Sequence, residues 1–293
     1  MNKIVMKAPC KVNLTLDIAG RLPNGYHEMD MIMQSVGLCD MLEICKTDAE
    51  GIVLDCSKAG VPCDDSNIVV RCANAFFEYT GITPAVHFHL EKHIPAMAGL
   101  GGGSADGAAA LAGLDALYET HLSREVLCQL GFSCGADIPF CICGGTRRVQ
   151  GAGEILKEVS LFPQDLWFVI AKPYFSVNTG LAFRQFDEQE HPLRGDIAGM
   201  LEALEKQDPV QIGQRLTNVF EPFSRPQEIG GIKKVMLDAG ALGALMSGSG
   251  SAVFGIFKTE KEAQNCRDLL EPSVEQADVA RPVTGGPWIT EQK

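Results

Sequence analysis

The sequence predicts a two-lobed protein of mixed helix and strand, with an α+β or α/β architecture. The chain has 293 residues, of which 46% are hydrophobic and 21% charged, and strand-like segments alternate with helix-like ones. A chain of this length can bury a sizeable core in one large domain or two of ordinary size. We expect a junction within residues 150–164, with domains at 1–155 and 156–293.

The N-terminal elements are predicted to be strands. Residues 4–18 alternate loosely between apolar and polar, which predicts a strand, an interruption at Ala8-Pro9 and a second strand that Gly20 closes. The segment LPNGYH at 22–27 then predicts a turn. Further strands are predicted at residues 41–45 and 86–90.

Two helices follow in the first lobe. Residues 67–79 have helical spacing, with Asp65 or Ser66 available as the N-cap and Gly81 as the stop. A second, alanine-rich helix is predicted to begin near Ser104, where an apolar stretch runs into consecutive glycines.

The second lobe is predicted to open with a buried strand at residues 167–171. Before it, residues 130–145 end one helix and begin a tight turn, and Pro139 predicts a break in regular structure. Residues 247–257 predict a glycine-serine loop that leads into a strand. Helices are predicted at residues 196–206, 209–220 and 229–239.

Charge and cysteine content limit the partners and the compartment. A formal net charge of -12 argues against nucleic acid or an anionic membrane as partner. The eleven cysteines are odd in number and include no C-x-x-C pair, which predicts reduced, mostly buried thiols rather than disulfides or a zinc site. We expect a cytoplasmic protein, because the first residues contain three lysines and no continuous apolar stretch. The oligomeric state is not readable.

The glycine-rich segment at the start of the alanine-rich helix predicts a phosphate site. Glycines let consecutive N–H groups turn toward one anion, and the helix N-terminus adds about half a positive charge. A flexible turn or tight helix packing would explain glycines alone equally well. The segment predicted to contact nucleotide phosphates consists of Pro95, Ala96, Met97, Ala98, Gly99, Leu100, Gly101, Gly102, Gly103, Ser104 and Ala105.

Four motifs in order make the signal more specific: residues 8–14 (APCKVNL), the glycine-rich segment, residues 135–139 (GADIP) and residues 247–250 (SGSG). Together they resemble the GHMP kinase superfamily, over residues 7–257. The resemblance implies an α+β, two-lobed architecture with the active site in the cleft between the lobes. It also implies ATP as phosphoryl donor, accompanied by Mg²⁺. The metal ligands are not readable, although Ser104 is a possible contributor.

Two residues within these motifs are candidate catalytic groups. Phosphoryl transfer needs charge neutralisation and a group that orients or deprotonates the acceptor hydroxyl. Asp137 can be that base and Lys11 can place positive charge near the acceptor oxygen, which are the roles that the family assigns. Taken alone, the aspartate would more often cap a helix and the lysine would lie on the surface.

The NGYH sequence at 24–27 resembles the members of the superfamily that act in isoprenoid precursor synthesis on a small molecule linked to cytidine diphosphate. There, Tyr26 and Phe183 would sandwich the cytosine. The resemblance carries over substrate contacts at Asn13, Tyr26, His27, Thr179, Phe183, Gly248 and Ser249, and adenine-side contacts at Asn67 and Lys92. The alternatives are another acceptor, namely homoserine, mevalonate or a sugar, and a catalytically silent relative.

Overall fold

The computed structural model describes residues 2–23, 25–190 and 192–293. Within them the fold is α+β, as predicted, with an eight-stranded and a four-stranded sheet. The strands are β1 (Lys3–Arg21), β2 (His27–Lys46), β3 (Gly51–Cys56), β4 (Ala85–Glu91), β5 (Thr146–Gly151), β6 (Ile155–Glu158), β7 (Trp167–Lys172), β8 (Thr217–Asn218), β9 (Gly243–Met246), β10 (Val253–Phe257), β11 (Gln276–Ala280) and β12 (Trp288–Gln292). The α-helices are α1 (Ile68–Thr80), α2 (Gly102–Tyr118), α3 (Arg124–Cys134), α4 (Ile138–Cys143), α5 (Thr179–Asp187), α6 (Ile197–Glu205), α7 (Pro209–Gln214), α8 (Pro226–Asp238) and α9 (Glu260–Leu270).

Two long antiparallel strands, β1 and β2, form the spine of the larger sheet. The break predicted at Ala8-Pro9 is wrong, because β1 runs on through both residues and takes up the proline in a register shift between Pro9 and Cys10. Nearly all of β1 is buried, including the polar residues Lys11, Asn13 and Thr15 that alternate with its apolar ones. The prediction at 41–45 found only the end of β2, whereas the strand at 86–90 is confirmed as β4.

The smaller sheet has the order β11-β7-β10-β9 and is antiparallel throughout. The predicted strand at 167–171 is confirmed as β7, and the glycine-serine loop leads into β10. The helix predicted at 209–220 is too long, because α7 ends at Gln214 and β8 follows. The domain boundary expected at 155/156 stays a prediction; β6 spans it and pairs with β5 in the larger sheet.

Helices α1 and α2 pack together under the larger sheet. Asn67, rather than Asp65 or Ser66, caps α1 by accepting from Val69 N–H, and Gly81 ends the helix in the left-handed conformation, as predicted. Helix α2 begins two residues before the predicted Ser104. Its small side chains allow close packing: a Cβ on Gly107 would lie 2.7 Å from Ile68 Cγ2.

The segment 130–145 contains helix where a break was predicted. Pro139 lies in the first turn of α4, a position that needs no backbone N–H, so it starts a helix rather than interrupting one. Helix α4 therefore follows α3 after a three-residue turn at 135–137. This turn carries the candidate base Asp137.

All eleven cysteines are free thiols, but fewer than half are buried, which corrects the expectation that most would be. Within the described ranges, no helix is long and apolar enough to cross a bilayer. Residues 239–257, which include no charged side chain, contain β9, β10 and the loop between them.

Candidate active site

The glycine-rich segment and the loop at 247–250 interlock between the two sheets. Ser247 Oγ donates a hydrogen bond to the Gly99 carbonyl oxygen at 3.0 Å, and Ala252 N–H donates to the Ala98 carbonyl oxygen at 3.0 Å. A Cβ on Gly99, whose φ is +75°, would lie 2.0 Å from the Ser247 carbonyl oxygen. Only glycine permits this approach, so two motifs that lie far apart in sequence form one surface.

Lys11 lies beneath that surface on β1, with only 5% of its side chain exposed. Its Nζ donates to Asn13 Oδ1 at 2.8 Å and lies 3.5 Å from Asp137 Oδ2. A Cβ on Gly101, whose φ is +68°, would lie 3.0 Å from Lys11 Cγ. The glycine thus leaves room for the lysine stem, and the ammonium group is held beside Asp137 with a fixed partner.

Asp137 lies at the N-cap position of α4 but does not act as a cap. Its side chain accepts no capping hydrogen bond from the helix. About a third of the side chain is exposed, whereas its partner Lys11 is buried. The carboxylate is therefore paired with one cation and open to a cavity, which is what a base acting on a bound hydroxyl requires.

The first cavity of the site has a volume of about 580 Å³ and lies between the glycine-rich segment, the turn that carries Asp137, α5 and the loop at 247–250. It brings together most residues predicted for catalysis and substrate binding. The predicted residues in its lining are Lys11, Asn13, Met97, Gly99, Gly101, Ser104, Asp137, Thr179, Phe183, Gly248 and Ser249. Thr179 Oγ1 and Ser249 Oγ also share a hydrogen bond at 2.8 Å, which joins α5 to the loop.

A second cavity, of about 670 Å³, lies on the other side of the glycine-rich segment and shares Met97, Gly99, Gly101, Ser104 and Thr179 with the first. Its other predicted lining residues are Asn67, Lys92, Pro95, Ala96, Ala98, Leu100, Gly102 and Gly103. At the boundary, α2 begins after Gly101, which has no side chain to cap the first-turn N–H groups. Those donors and the helix dipole make the boundary a place for an anion.

Lys92 is held by two buried aspartates. Its Nζ pairs with Asp40 Oδ2 and lies 2.6 Å from Asp106 Oδ2, and 7% of the Lys92 side chain is exposed. Burial lowers the pKa of Lys92, but the two carboxylates raise it by more, so the ammonium stays charged. Burial and the nearby Asp40 raise the pKa of Asp106 well above its usual range, despite Lys92. Lys92 thus links Asp106, near the start of α2, to Asp40 on β2.

Three predicted residues, Tyr26, His27 and Ala105, lie outside both cavity linings. Tyr26 is 67% exposed. It ends a turn in which the Leu22 N–H donates to the Tyr26 carbonyl oxygen. Asn24, in the same predicted turn, lies outside the described residues. The His27 ring stacks on Phe183 with centroids 4.5 Å apart. Tyr26 and His27 therefore stand at the Phe183 end of the first cavity.

Two buried side chains that sequence reasoning missed fix the loops of the site. Asn218 Nδ2 donates to the carbonyl oxygens of Met246 and Gly248, at 2.7 Å each. Lys172 Nζ donates to the carbonyl oxygens of Pro173 (2.6 Å) and Phe175 (2.8 Å). The available signal was a lysine and an asparagine inside apolar runs, where a charge or amide needs internal partners.

Asp40 and Asp106 were also missed. Asp40 follows a run of β2 whose strand character the sequence did not reveal, so its burial could not be foreseen. Asp106 stands in the glycine-rich segment's own helix, two residues beyond Ser104. An aspartate inside an alanine-rich, buried helix is the signal that could have found it.

Comparison with known proteins agrees with this geometry. The family model described as the GHMP kinases N terminal domain matches residues 67–145, and the GHMP kinases C terminal model matches residues 200–271, together just over half of the chain. The structure superposes on a homoserine kinase from Cytophaga hutchinsonii with a TM-score of 0.80, covering 99% of this chain and 98% of that one. At 21% identity this likeness shows the fold alone.

Relatives of higher identity are named 4-diphosphocytidyl-2-C-methyl-D-erythritol kinase. One from Pelotomaculum thermopropionicum is 40% identical over 95% of this chain and 97% of its own length, and one from Exiguobacterium sibiricum is 38% identical over 95% and 97%. A crystal structure of 4-(cytidine 5'-diphospho)-2C-methyl-D-erythritol kinase matches with a TM-score of 0.80 and 31% identity, over 97% of this chain and 100% of that one. The chain therefore belongs to the 4-diphosphocytidyl-2-C-methyl-D-erythritol kinase family of GHMP kinases.

Proposed function

We propose that this chain transfers the γ-phosphoryl group of ATP to the 2-hydroxyl of 4-diphosphocytidyl-2-C-methyl-D-erythritol, a step of non-mevalonate isoprenoid precursor synthesis. The observation that carries the chemistry is the Lys11–Asp137 pair, 3.5 Å apart at the wall of the first cavity. The names of the full-length relatives support this acceptor. As a small-molecule kinase it needs neither nucleic acid nor a membrane, and we place it in the cytoplasm.

ATP and the acceptor bind in different cavities. ATP lies with its triphosphate on the glycine-rich segment and its adenine in the second cavity, toward Asn67 and the loop at 60–62. The acceptor lies in the first cavity with its hydroxyl at Asp137. Asp137 takes the hydroxyl proton as the oxygen attacks the γ-phosphorus, and ADP leaves on the opposite side.

Lys11 stabilises charge on the attacking oxygen of the acceptor and does not take its proton. Its ammonium group is oriented by Asn13 and held beside Asp137, so it stabilises both the ionised base and the negative charge on the attacking oxygen. Since the side chain is nearly buried, this charge acts where water screens it little.

Mg²⁺ fits the glycine-rich segment. In phosphoryl-transfer sites it keeps several waters and takes one or two protein ligands besides the phosphates. Ser104 lines both cavities, and Asp106, which lines the second, has a buried Oδ1 that finds no hydrogen-bond partner in the described part of the chain. Ser104 would hold the ion through its hydroxyl oxygen. When bound, Mg²⁺ neutralises phosphate charge.

The test is turnover against nucleotide binding in two variants. Asp137→Asn should keep ATP affinity and lose roughly 10²–10⁴-fold in kcat, the range expected for a general base. Lys11→Met should likewise lower kcat more than ATP affinity. ADP release would be followed with the cytidine-linked acceptor and with homoserine as the control acceptor. Parent-like turnover in Asp137→Asn, or better turnover with homoserine, would overturn the proposal.

A further inference from the structure

Two thiols face each other outside the active site. Cys128 on α3 and Cys143 at the end of α4 have their sulfurs 3.7 Å apart. Disulfide formation needs about 2.05 Å, so the sulfurs need to close by less than 2 Å, which is within reach of side-chain rotation and a small helix shift. Cys128 Sγ also lies 3.8 Å from the Pro139 carbonyl oxygen, which is its second contact with α4.

The pair is accessible. Both cysteines are half-buried and line a cavity of about 620 Å³ whose charged lining residues are Arg124, Glu125, Arg147, Glu154 and Glu158. The hydrogen bond shared with the Cys128 thiol lowers the pKa of Cys143 to about 7, with Arg147 and Arg124 adding to the shift. The same hydrogen bond raises the pKa of Cys128. Cys143 is thus the nucleophilic thiol and Cys128 the resolving one.

We propose that Cys128 and Cys143 form a redox-active dithiol that closes to a disulfide by exchange with a low-molecular-weight disulfide, and that this closure slows the kinase. The Cys143 thiolate attacks one sulfur of oxidised glutathione, whose S–S bond breaks and releases one glutathione thiolate. The Cys128 thiol loses its proton to solvent and attacks Cys143 Sγ, which releases the second glutathione. Two protein thiols are oxidised and one glutathione disulfide is reduced.

The disulfide would affect turnover through helix α4. This helix has six residues, with Asp137 just before its first residue and Cys143 as its last. Drawing Cys143 toward α3 therefore shifts the element that holds Asp137 against Lys11. A misplacement of about 1 Å at a reacting group can cost roughly 10²-fold in rate. This step rests on the proposed role of Asp137, whereas the cross-link itself does not.

The chain contains two internal controls for the chemistry. Cys63 is the exposed cysteine, but its pKa is raised, mainly by desolvation. Cys72 and Cys134 share a hydrogen bond that lowers the pKa of Cys134 to about 6, so this pair differs from Cys128–Cys143 in being buried rather than in thiolate character. If exposure alone governs reactivity, Cys63 reacts first. If proximity alone governs it, the Cys72–Cys134 pair closes as readily as Cys128–Cys143.

The experiment uses the whole folded chain in glutathione buffers of graded oxidised fraction, with cross-links located by peptide mass mapping. We expect the Cys128–Cys143 disulfide to form before any other thiol is modified, and dithiothreitol to reverse it. Turnover should fall at least tenfold as the disulfide forms and recover on reduction. Cys143→Ser and Cys128→Ser should keep their turnover in the oxidising buffers.

Three results would overturn the proposal. The first is modification of Cys63, or closure of Cys72–Cys134, ahead of Cys128–Cys143. The second is a glutathione adduct on Cys143 that persists without cross-linking. The third is complete cross-linking at unchanged turnover. Peptide mapping of the cross-links needs only the parent protein, so it tests disulfide formation even if a serine variant does not fold. It is also independent of the acceptor's identity.

Discussion

Of the two aspartates that hold Lys92, Asp40 should be far the more costly to neutralise. Asp40 accepts from Lys92 Nζ and from the backbone N–H groups of His93 and Ile94, and it is fully buried. Asp106 Oδ2 accepts from Lys92 Nζ, and among the described residues its buried Oδ1 has no hydrogen-bond partner. In Asp40→Asn, an amide NH₂ has to face N–H donors or the ammonium, whereas in Asp106→Asn the carbonyl oxygen can still accept from Lys92.

The magnitudes follow from these contacts. Removing one partner from a buried ion pair costs about 3–5 kcal/mol, which we assign to Asp40→Asn. Asp106→Asn should cost less than about 1 kcal/mol, since it keeps the hydrogen bond and removes a charge that burial already opposes. An unfolding entropy of about 2.1 cal/mol/K per residue gives about 0.6 kcal/mol/K for 293 residues. The melting temperature should therefore fall by about 5–8 °C for Asp40→Asn and by less than about 2 °C for Asp106→Asn.

The pH dependence gives a second measurement on the same variants. The pKa of Asp106 is higher in the folded than in the unfolded chain, so its contribution to stability is complete below the unfolded pKa of about 3.9 and is lost as pH rises through the folded value. The melting temperature of Asp106→Asn, relative to the parent, should therefore rise with pH from about 4 upward. Equal losses in the two variants, or a pH-independent difference for Asp106→Asn, would refute this account of the cluster.

Three further predictions concern the site. Gly99→Ala should lower the melting temperature sharply, because its Cβ meets the Ser247 carbonyl oxygen, whereas the control Gly103→Ala, whose Cβ meets only Ile68 Cδ1 at 3.2 Å, should not; equal losses would contradict it. Asn218→Ala should raise the acceptor KM by freeing the loop at 247–250, with ATP affinity unchanged as the check. Tyr26→Leu and Phe183→Leu should raise the acceptor KM, by up to about 1–3 kcal/mol in binding, with little change in kcat; unaltered kinetics would rule out a stacked base.

The sequence predicted local motifs better than long strands. The glycine-rich helix start, the strand β7 and the stop at Gly81 follow from signals within a few residues, and the structure confirms them. The full extent of β1 does not follow from such signals, because its alternation of polar and apolar residues continues past a proline, a residue that usually lies at a strand end or a bulge. Pro9 then resembled a strand end, although the sheet absorbs it by a register shift.

Within the site, the sequence revealed the residues proposed to act on substrates but not the residues that hold them in place. Lys11 and Asp137 stand in recognisable motifs, and the structure brings them within 3.5 Å of each other. The partners of Lys92 and the loop contacts of Asn218 depend on which distant strand lies alongside. Such contacts arise from tertiary packing, which leaves no local pattern in a single sequence.

The aromatic contacts sharpen the expectation for the nucleobase. His27 stacks on Phe183 at 4.5 Å, and Phe220 packs edge-on against the same ring at 4.9 Å, so a cytosine that stacks on the His27-covered face has to displace the imidazole. Losing that aromatic contact costs about 0.5–1.5 kcal/mol, which offsets part of the 1–3 kcal/mol from base stacking. Phe183→Leu removes both the stacking of the base on Phe183 and the competing His27–Phe183 contact, whereas Tyr26→Leu leaves the His27–Phe183 contact in place. The acceptor KM should therefore rise more for Tyr26→Leu than for Phe183→Leu; the reverse order would mean that the base stacks on Phe183 without moving His27.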